Sequence, residues 1–252
     1  MSTVHVSRIG LTPLKGAAHQ DLAEVYLTPD GPVGDRVFCL LDRSRERVLR
    51  TVEHRTLLQT AARWHGGVLT TTLPAGAVSG VPAASGEMLK VDYWGRPAAL
   101  EVVDGPWAAA YSEHLGQNVE VARAAPGEVV YGAPVSLVTS SSLDRLAEEL
   151  GAPVDAAQFR ATFTVDTEGE PPHVEDSWAG RTLRLGEAEV LVRAGIPRCA
   201  VVDLHPGTGQ RHTDALRCLG RYRRAGAEVV FGVDAVVTRP GRVRVGDELE
   251  GS

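Results

Sequence analysis

A chain of 252 residues with 43% hydrophobic side chains has apolar material for one large domain or two closely joined ones. Its formal net charge of −6 argues against nucleic acid or anionic lipid as partners held by bulk charge, so any anionic ligand must meet a local cluster of Arg and Lys. Three cysteines are too few and too scattered for a disulfide framework, the first ten residues have no apolar signal core, and no apolar run reaches membrane-spanning length, so a soluble protein of the reducing cytoplasm is expected.

The 27 glycines and 15 prolines punctuate short alternating segments, the pattern of many strands joined by tight turns. Residues 36–42 read as a core strand that contains Cys39. Gly, Ala, Pro and Ser crowd residues 73–86 without a period, which predicts a surface excursion. Pro106 at a helical first turn, then Trp107, Ala110, Tyr111 and Leu115 on one side and Gly116 as terminator, predicts a helix. The Gly- and Pro-containing stretch 124–134 separates a front half, residues 1–125, from a back half, residues 126–252. Ser141 as cap, Asp144 three residues on, Leu143, Leu146 and Leu150 on one face and Gly151 at the end predict a second helix. Residues 181–192 alternate around Leu183 and Leu185 and turn at Gly186-Glu187 into a further strand. Thr213 capping Leu216, Leu219 and Tyr222 gives a third helix, which holds Cys218 and is interrupted by Gly220. Val243 and Val245, alternating with Arg242 and Arg244, form the expected closing strand. The sum is a β-rich α+β protein of two closely packed parts.

Arg198-Cys199 closes an extended segment and precedes the polar turn His205-Pro206-Gly207-Thr208-Gly209. A thiolate is both a nucleophile and a soft metal ligand, and a neighbouring guanidinium favours the charged form. The alternative is a small inert thiol at a strand end. Cys39 and Cys218 fall within strand and helix patterns and read as packing residues. Lys15, Arg36, Arg160 and Arg198 each lie in a turn or at a strand edge. If they converge they would hold a phosphorylated ligand, Arg by bidentate forks and Lys as a point charge; composition alone favours four separate surface cations. Thr139-Ser140-Ser141-Ser142 opens a helix, where free N–H groups suit an anion and Ser141 also serves as cap. Asp203, His205 and His212 stand near Cys199 in sequence and are candidate proton donors, although a solvated turn histidine is the simpler account of each His. No zinc-type Cys-x-x-Cys or His-Glu-x-x-His pairing occurs.

Taken in order, these motifs resemble the MOSC family, named after the C-terminal domain of molybdenum cofactor sulfurase. The front half is similar to the family's N-terminal β-rich domain in Pro13-Leu14-Lys15, Gly34-Asp35-Arg36, Leu41-Asp42 and Val48-Leu49-Arg50. The back half resembles the MOSC domain proper in Ser142-Leu143, Phe159-Arg160, Trp178-Ala179-Gly180-Arg181 and Leu185-Gly186. The same holds for Arg198-Cys199 with its polar turn, Phe231-Gly232-Val233 and Val245-Gly246-Asp247. The resemblance implies a MOSC β-barrel-like domain packed against an N-terminal β-rich domain. It implies a molybdenum-pterin cofactor (molybdopterin), with Cys199 as thiolate ligand to the metal. Lys15, Arg36, Arg160 and Arg198, aided by Thr139 and Ser142, would grip the cofactor. Where the family usually continues Phe-Arg with Pro-Asn, this chain has Ala161-Thr162, so Thr162 would offer a hydroxyl in place of the amide; Val37 likewise stands where the family often has an aromatic.

The implied activity is reduction of N-hydroxylated small molecules, fed by separate electron-transfer proteins because no ferredoxin-like Cys-rich tail is present, with Asp203 and His205 as acids. A second reading is a sulfur carrier or sulfurtransferase bearing a persulfide on Cys199, supplied by a separate donor because the chain has no pyridoxal-phosphate-type aminotransferase-like domain. A third is a non-catalytic cofactor-binding accessory protein. The default oligomeric state is a monomer.

Overall fold

The computed structural model describes residues 4–251. Strands Phe38–Asp42, Arg47–Val48, Ala83–Tyr93, Arg96–Asp104 and Glu120–Ala124 close into a five-stranded barrel. Every residue of Phe38–Asp42 is buried, because alternate side chains face two apolar environments. Cys39 and Leu41 join Val91, Tyr93, Leu100 and Ala122 in one cluster, while Phe38 and Leu40 pack with Trp107 and Tyr111 in another. The latter two belong to helix α1 (Trp107–Leu115), which ends at Gly116 with φ +65°, a left-handed position that favours glycine.

Over α1 lies a three-stranded sheet, Ala61–His65, Val68–Leu73 and Gly76–Gly80. The expected surface excursion at 73–86 is therefore corrected: Gly76–Gly80 and the start of Ala83–Tyr93 are paired strands. Small, largely exposed side chains there give no alternation, and the pairing is carried by the backbone.

The second layer is a nine-stranded sheet. Its main path runs Gln20–Leu22, His5–Leu11, Phe163–Asp166, Val135–Thr139, Glu228–Arg239, Ala188–Pro197, Thr182–Leu185 and Leu249–Gly251, with Arg224–Ala225 paired to Glu228–Arg239. Ile9 pairs with Phe163, and strand Glu24–Thr28 pairs with Gly241–Arg244, so the earliest strands share layers with the latest ones. Val6, Ile9, Leu137, Phe163, Val190 and Val233 are core residues here. The closing strand Gly241–Arg244 buries Val243 but leaves Val245 exposed, and Leu249–Gly251 follows it.

Helix α2 (Ser140–Leu150) crosses between the parallel strands Val135–Thr139 and Phe163–Asp166. It starts one residue before Ser141, with Thr139 at the boundary and no side-chain cap, and ends at Gly151 with φ +66°. Helix α3 (Ala215–Leu219) is shorter than expected and stops at Gly220. Its first turn is tethered by Asp203, whose Oδ1 accepts from Leu216 N at 2.8 Å; the Thr213 hydroxyl instead accepts from Gln158. Both helices pack on Phe159 and Phe231, whose rings stack at 4.5 Å. No helix among the described residues is long and apolar enough to cross a membrane.

Candidate functional site

Barrel, front loops and the nine-stranded sheet together line a cavity of about 850 Å³. Eight basic side chains and three carboxylates face it, so its charge is opposite to that of the chain as a whole. Lys15, Arg36, Arg160, Arg198, Cys199 and Asp203 all lie on its wall.

Lys15 is fixed by its backbone N–H to Phe38 O at 2.8 Å, and its Nζ lies over the Tyr93 ring, 4.8 Å from the centroid. Burial, then the guanidiniums of Arg36 and Arg160, bring its ammonium down to about 7. Burial likewise pushes the Tyr93 phenol up to about 12.

Arg36 and Arg160 adopt left-handed backbone at φ +48° and +53°, a conformation uncommon for residues with a side chain. Arg36 is held by its N–H to Thr12 O at 2.7 Å and pairs with buried Asp35 at 3.2 Å. Arg160 follows the 3₁₀ turn Ala156–Phe159, and its Nη2 donates to Ala17 O at 2.8 Å. Arg198 donates from Nε to Phe231 O at 2.8 Å and from Nη1 to Phe159 O at 3.0 Å. Its Nη2 is buried with no hydrogen-bond partner among the described residues. Burial lowers Arg160 and Arg198 to about 10, which leaves both charged at neutral pH. No ion pair forms at Lys15, Arg160 or Arg198 among the described residues. Cations enclosed without counter-ions are costly, and a bound anion removes that cost.

Cys199 comes directly after the last rungs of Ala188–Pro197, where Pro197 pairs with Val230 and Arg198 N donates to Val229 O at 2.8 Å. Its backbone is extended, and its exposed thiol reaches the cavity before the 3₁₀ turn Ala200–Asp203. The other two thiols are buried; desolvation pushes Cys39 up to about 12 and raises Cys218. Burial also raises the Asp203 carboxyl, one oxygen of which is used on α3.

Five of the candidate residues, Thr139, Ser142, Thr162, His205 and His212, are not on the wall. His205 belongs to a loop folded back on itself, with His205 N donating to Gln210 O at 2.8 Å and Gly209 N to His205 O at 2.9 Å. Its Nδ1 accepts from Gly207 N, and its ring meets His212 edge-on at 5.4 Å. Thr139 and Ser142 serve an internal anion instead: their hydroxyls donate to the carboxylate of Glu175, which is 0% exposed, at 2.7–2.8 Å. Burial nevertheless raises the Glu175 carboxyl. Thr162 is buried behind Ser136; its Oγ1 accepts from Ser136 N at 3.2 Å while its own N–H donates to Ser136 Oγ at 3.0 Å. The hydroxyl next to the cavity is therefore that of Ser136.

Several wall residues escaped the sequence reading. Asp234 follows the Phe231-Gly232-Val233 motif directly; its Oδ2 accepts from Ala133 N at 2.8 Å, and its Oδ1 is buried without a partner. Trp94 and Tyr131 face the cavity from the barrel hairpin and the 125–134 loop, and Arg217, Arg221 and Arg224 from α3 and the residues after it. Unpaired cations and an unpaired acceptor fit a ligand that carries both an anionic group and N–H donors.

A thiol, a cation cluster and the unpartnered carboxylate oxygen of Asp234 thus share one cavity at the junction of the small barrel and the large mixed sheet. A sequence model of the MOSC domain matches residues 110–250, more than half of the chain, and the chain belongs to the MOSC domain family. It is similar to molybdenum cofactor sulfurase of Oryza sativa subsp. japonica, 36% identical over 83 residues, covering 32% of this chain and 10% of that protein. The Aspergillus terreus protein of the same name is 30% identical over 115 residues, 41% of this chain and 14% of that one. The chain thus spans a small fraction of the length of these curated relatives. Among solved structures it is similar to the YuaD protein of Bacillus subtilis, with TM-score 0.49 and 14% identity over 99% of this chain and 96% of that one. YiiM of Geobacillus stearothermophilus gives TM-score 0.34 and 17% identity over 47% and 54%.

Proposed function

We propose that the cavity binds a molybdenum-pterin cofactor and that the chain reduces N-hydroxylated small molecules with electrons from a separate protein. The observation that carries this reading is the meeting of an exposed thiol, Cys199, with four enclosed cations, three of them without a counter-ion. Membership of the MOSC family supports a molybdenum-cofactor-related role. Molybdenum held by pterin dithiolene sulfurs supplies, when bound, two-electron oxygen-atom chemistry that side chains lack.

The chain's own residues bind and orient. Lys15, Arg36, Arg160 and Arg198 would hold the phosphate, with Arg198 Nη2 as an unused donor. Asp234 Oδ1, buried without a donor, would be available to an N–H of the pterin. Cys199 Sγ would be the thiolate ligand, a soft donor suited to a sulfur-ligated metal. Asp203, whose carboxyl is raised by burial and whose Oδ1 accepts from Leu216 N, would be the proton donor to the departing oxygen of the N–OH group.

Metal and pterin content of protein purified from a cofactor-producing host tests the reading: about one molybdenum per chain with a phosphorylated pterin is expected, and benzamidoxime should be reduced with an artificial donor. Metal-free protein that takes up sulfane sulfur on Cys199 would replace the reductase by a sulfurtransferase. Loaded protein without turnover would leave a cofactor-binding accessory.

A further inference from the structure

We infer that the wall of this cavity selects planar anionic substrates, with Trp94 and Tyr131 as a shelf for a flat ring and Arg217, Arg221 and Arg224 as the site for its anion. The inference rests on the reductase reading for its turnover assay but not for its binding assay.

Trp94-Gly95 is a two-residue hairpin loop between the paired residues Tyr93 and Arg96, with φ +55° and +78°. Positive φ at both positions is the type I′ pattern, which selects Asn-Gly; a bulky aromatic at the first is a backbone outlier. The indole gains little burial in return, being 46% exposed. It meets Tyr131, itself 49% exposed, edge-on at 5.5 Å, and Arg50 lies over it at 4.8 Å. The loop that carries Tyr131 is fixed to the barrel by Arg96 Nη2, which donates to Glu128 O at 2.7 Å and Val130 O at 3.0 Å. Two exposed aromatics thus stand at a cavity wall, on anchored turns, where folding alone would favour neither.

The arginines supply the second half. Along residues 211–224, Arg211 pairs with Asp214 and Arg223 with Asp176, which uses the nearby carboxylates. Arg217 and Arg221 make no ion pair among the described residues, and Arg224 only donates from Nε to Gly220 O at 3.1 Å. Glu228, on the same wall, pairs with none of them. Exposed guanidiniums at a concave surface are free to take a carboxylate or phosphate in a bidentate fork.

The test compares benzamidoxime, 4-carboxybenzamidoxime and cyclohexanecarboxamidoxime on the full chain, by steady-state kinetics of loaded protein and by calorimetric binding. The carboxylated ring should show a KM and Kd about tenfold below benzamidoxime, a preference that falls with salt and approaches unity in the Arg217→Ala/Arg221→Ala double variant. Trp94→Asn should raise the thermal midpoint, because it restores the favoured turn, and should erase the preference for benzamidoxime over its cyclohexyl analogue. That pairing separates a binding role from a structural one. Equal constants for charged and neutral rings, or a lower midpoint in Trp94→Asn, would overturn the inference and leave the reductase reading intact. Binding preferences without turnover of any amidoxime would retire the reductase reading and keep the inference. Loss of reduction only with a protein electron donor in the double variant, with probe binding unchanged, would assign the arginines to an acidic partner and overturn it.

Discussion

Replacing Lys15 with Met tests the cation cluster through its pH dependence. The ammonium stands at about 7 in the folded chain against an ordinary value of 10.5, chiefly because of burial and then the guanidiniums of Arg36 and Arg160. Between those two values the unfolded chain holds the proton and the folded one does not, so stability rises with pH across the window and is lost as pH falls toward 7. Integrated from pH 7.0 to 8.5, a shift of this size gives about 1.6 kcal/mol, and screening from the open side of the cavity reduces it to about 1 kcal/mol. Urea unfolding of wild type and Lys15→Met at both pH values reads it directly. Wild type should gain about 1 kcal/mol more than the variant on going to pH 8.5. Saturating phosphate should shrink that difference, because a bound anion restores the proton to Lys15. An equal gain in both proteins would refute the placement of Lys15 in an enclosed cationic cluster.

The remaining predictions concern the elements around that cluster. At Gly232, φ is +67° and an added Cβ would lie 2.5 Å from Leu137 O and 3.2 Å from Arg198 Nη2; Gly232→Ala should lose about 2 kcal/mol or more in urea unfolding and weaken phosphate binding. Glu175→Ala strands the Thr139 and Ser142 hydroxyls and should cost about 3 kcal/mol, whereas Glu175→Gln should stay within about 1 kcal/mol. Since burial raises the Glu175 carboxyl, the folded chain holds that proton longer, so wild type should lose stability as pH rises above the ordinary carboxylate range and Glu175→Gln should lack that fall. Iodoacetamide on the folded protein should give a single adduct at Cys199 by peptide mass spectrometry; labelling of Cys39 or Cys218 at a comparable rate would contradict their burial.

What the sequence made legible was local. Gly116 and Gly151 terminate helices because a left-handed position after an apolar helical stripe admits glycine readily, and Cys39 is a core residue because it lies within the apolar run from Val37 to Leu41. The polar partners were out of reach because they are distant in the chain. Ser142 and Glu175 are separated by 33 residues, and Arg198 and Phe231 also by 33. A hydroxyl at a helix start has the same local pattern whether it meets a ligand or, as here, an internal carboxylate. Asp234 lies within strand Glu228–Arg239, and nothing local in the sequence indicates that one of its oxygens lacks a donor. The strands within 73–86 were missed for the opposite reason, since their side chains are too small and too exposed to alternate.

The backbone also marks the cavity. Among the described residues, five that are not glycine have positive φ, and three of them, Arg36, Trp94 and Arg160, lie on its wall. Each costs about 1–3 kcal/mol, so together they approach the lower end of the net stability of an ordinary domain, about 5–15 kcal/mol. Glycine or asparagine would relieve all three turns, but would remove two guanidiniums and an indole from the cavity surface. Strain of that size at one surface, beside cations without counter-ions, is hard to reconcile with packing alone, because packing would favour the opposite choice at every one of these positions. It is the expected pattern where side chains are held ready for a ligand: an anion at Lys15, Arg160 and Arg198 would offset charge that the fold leaves uncompensated.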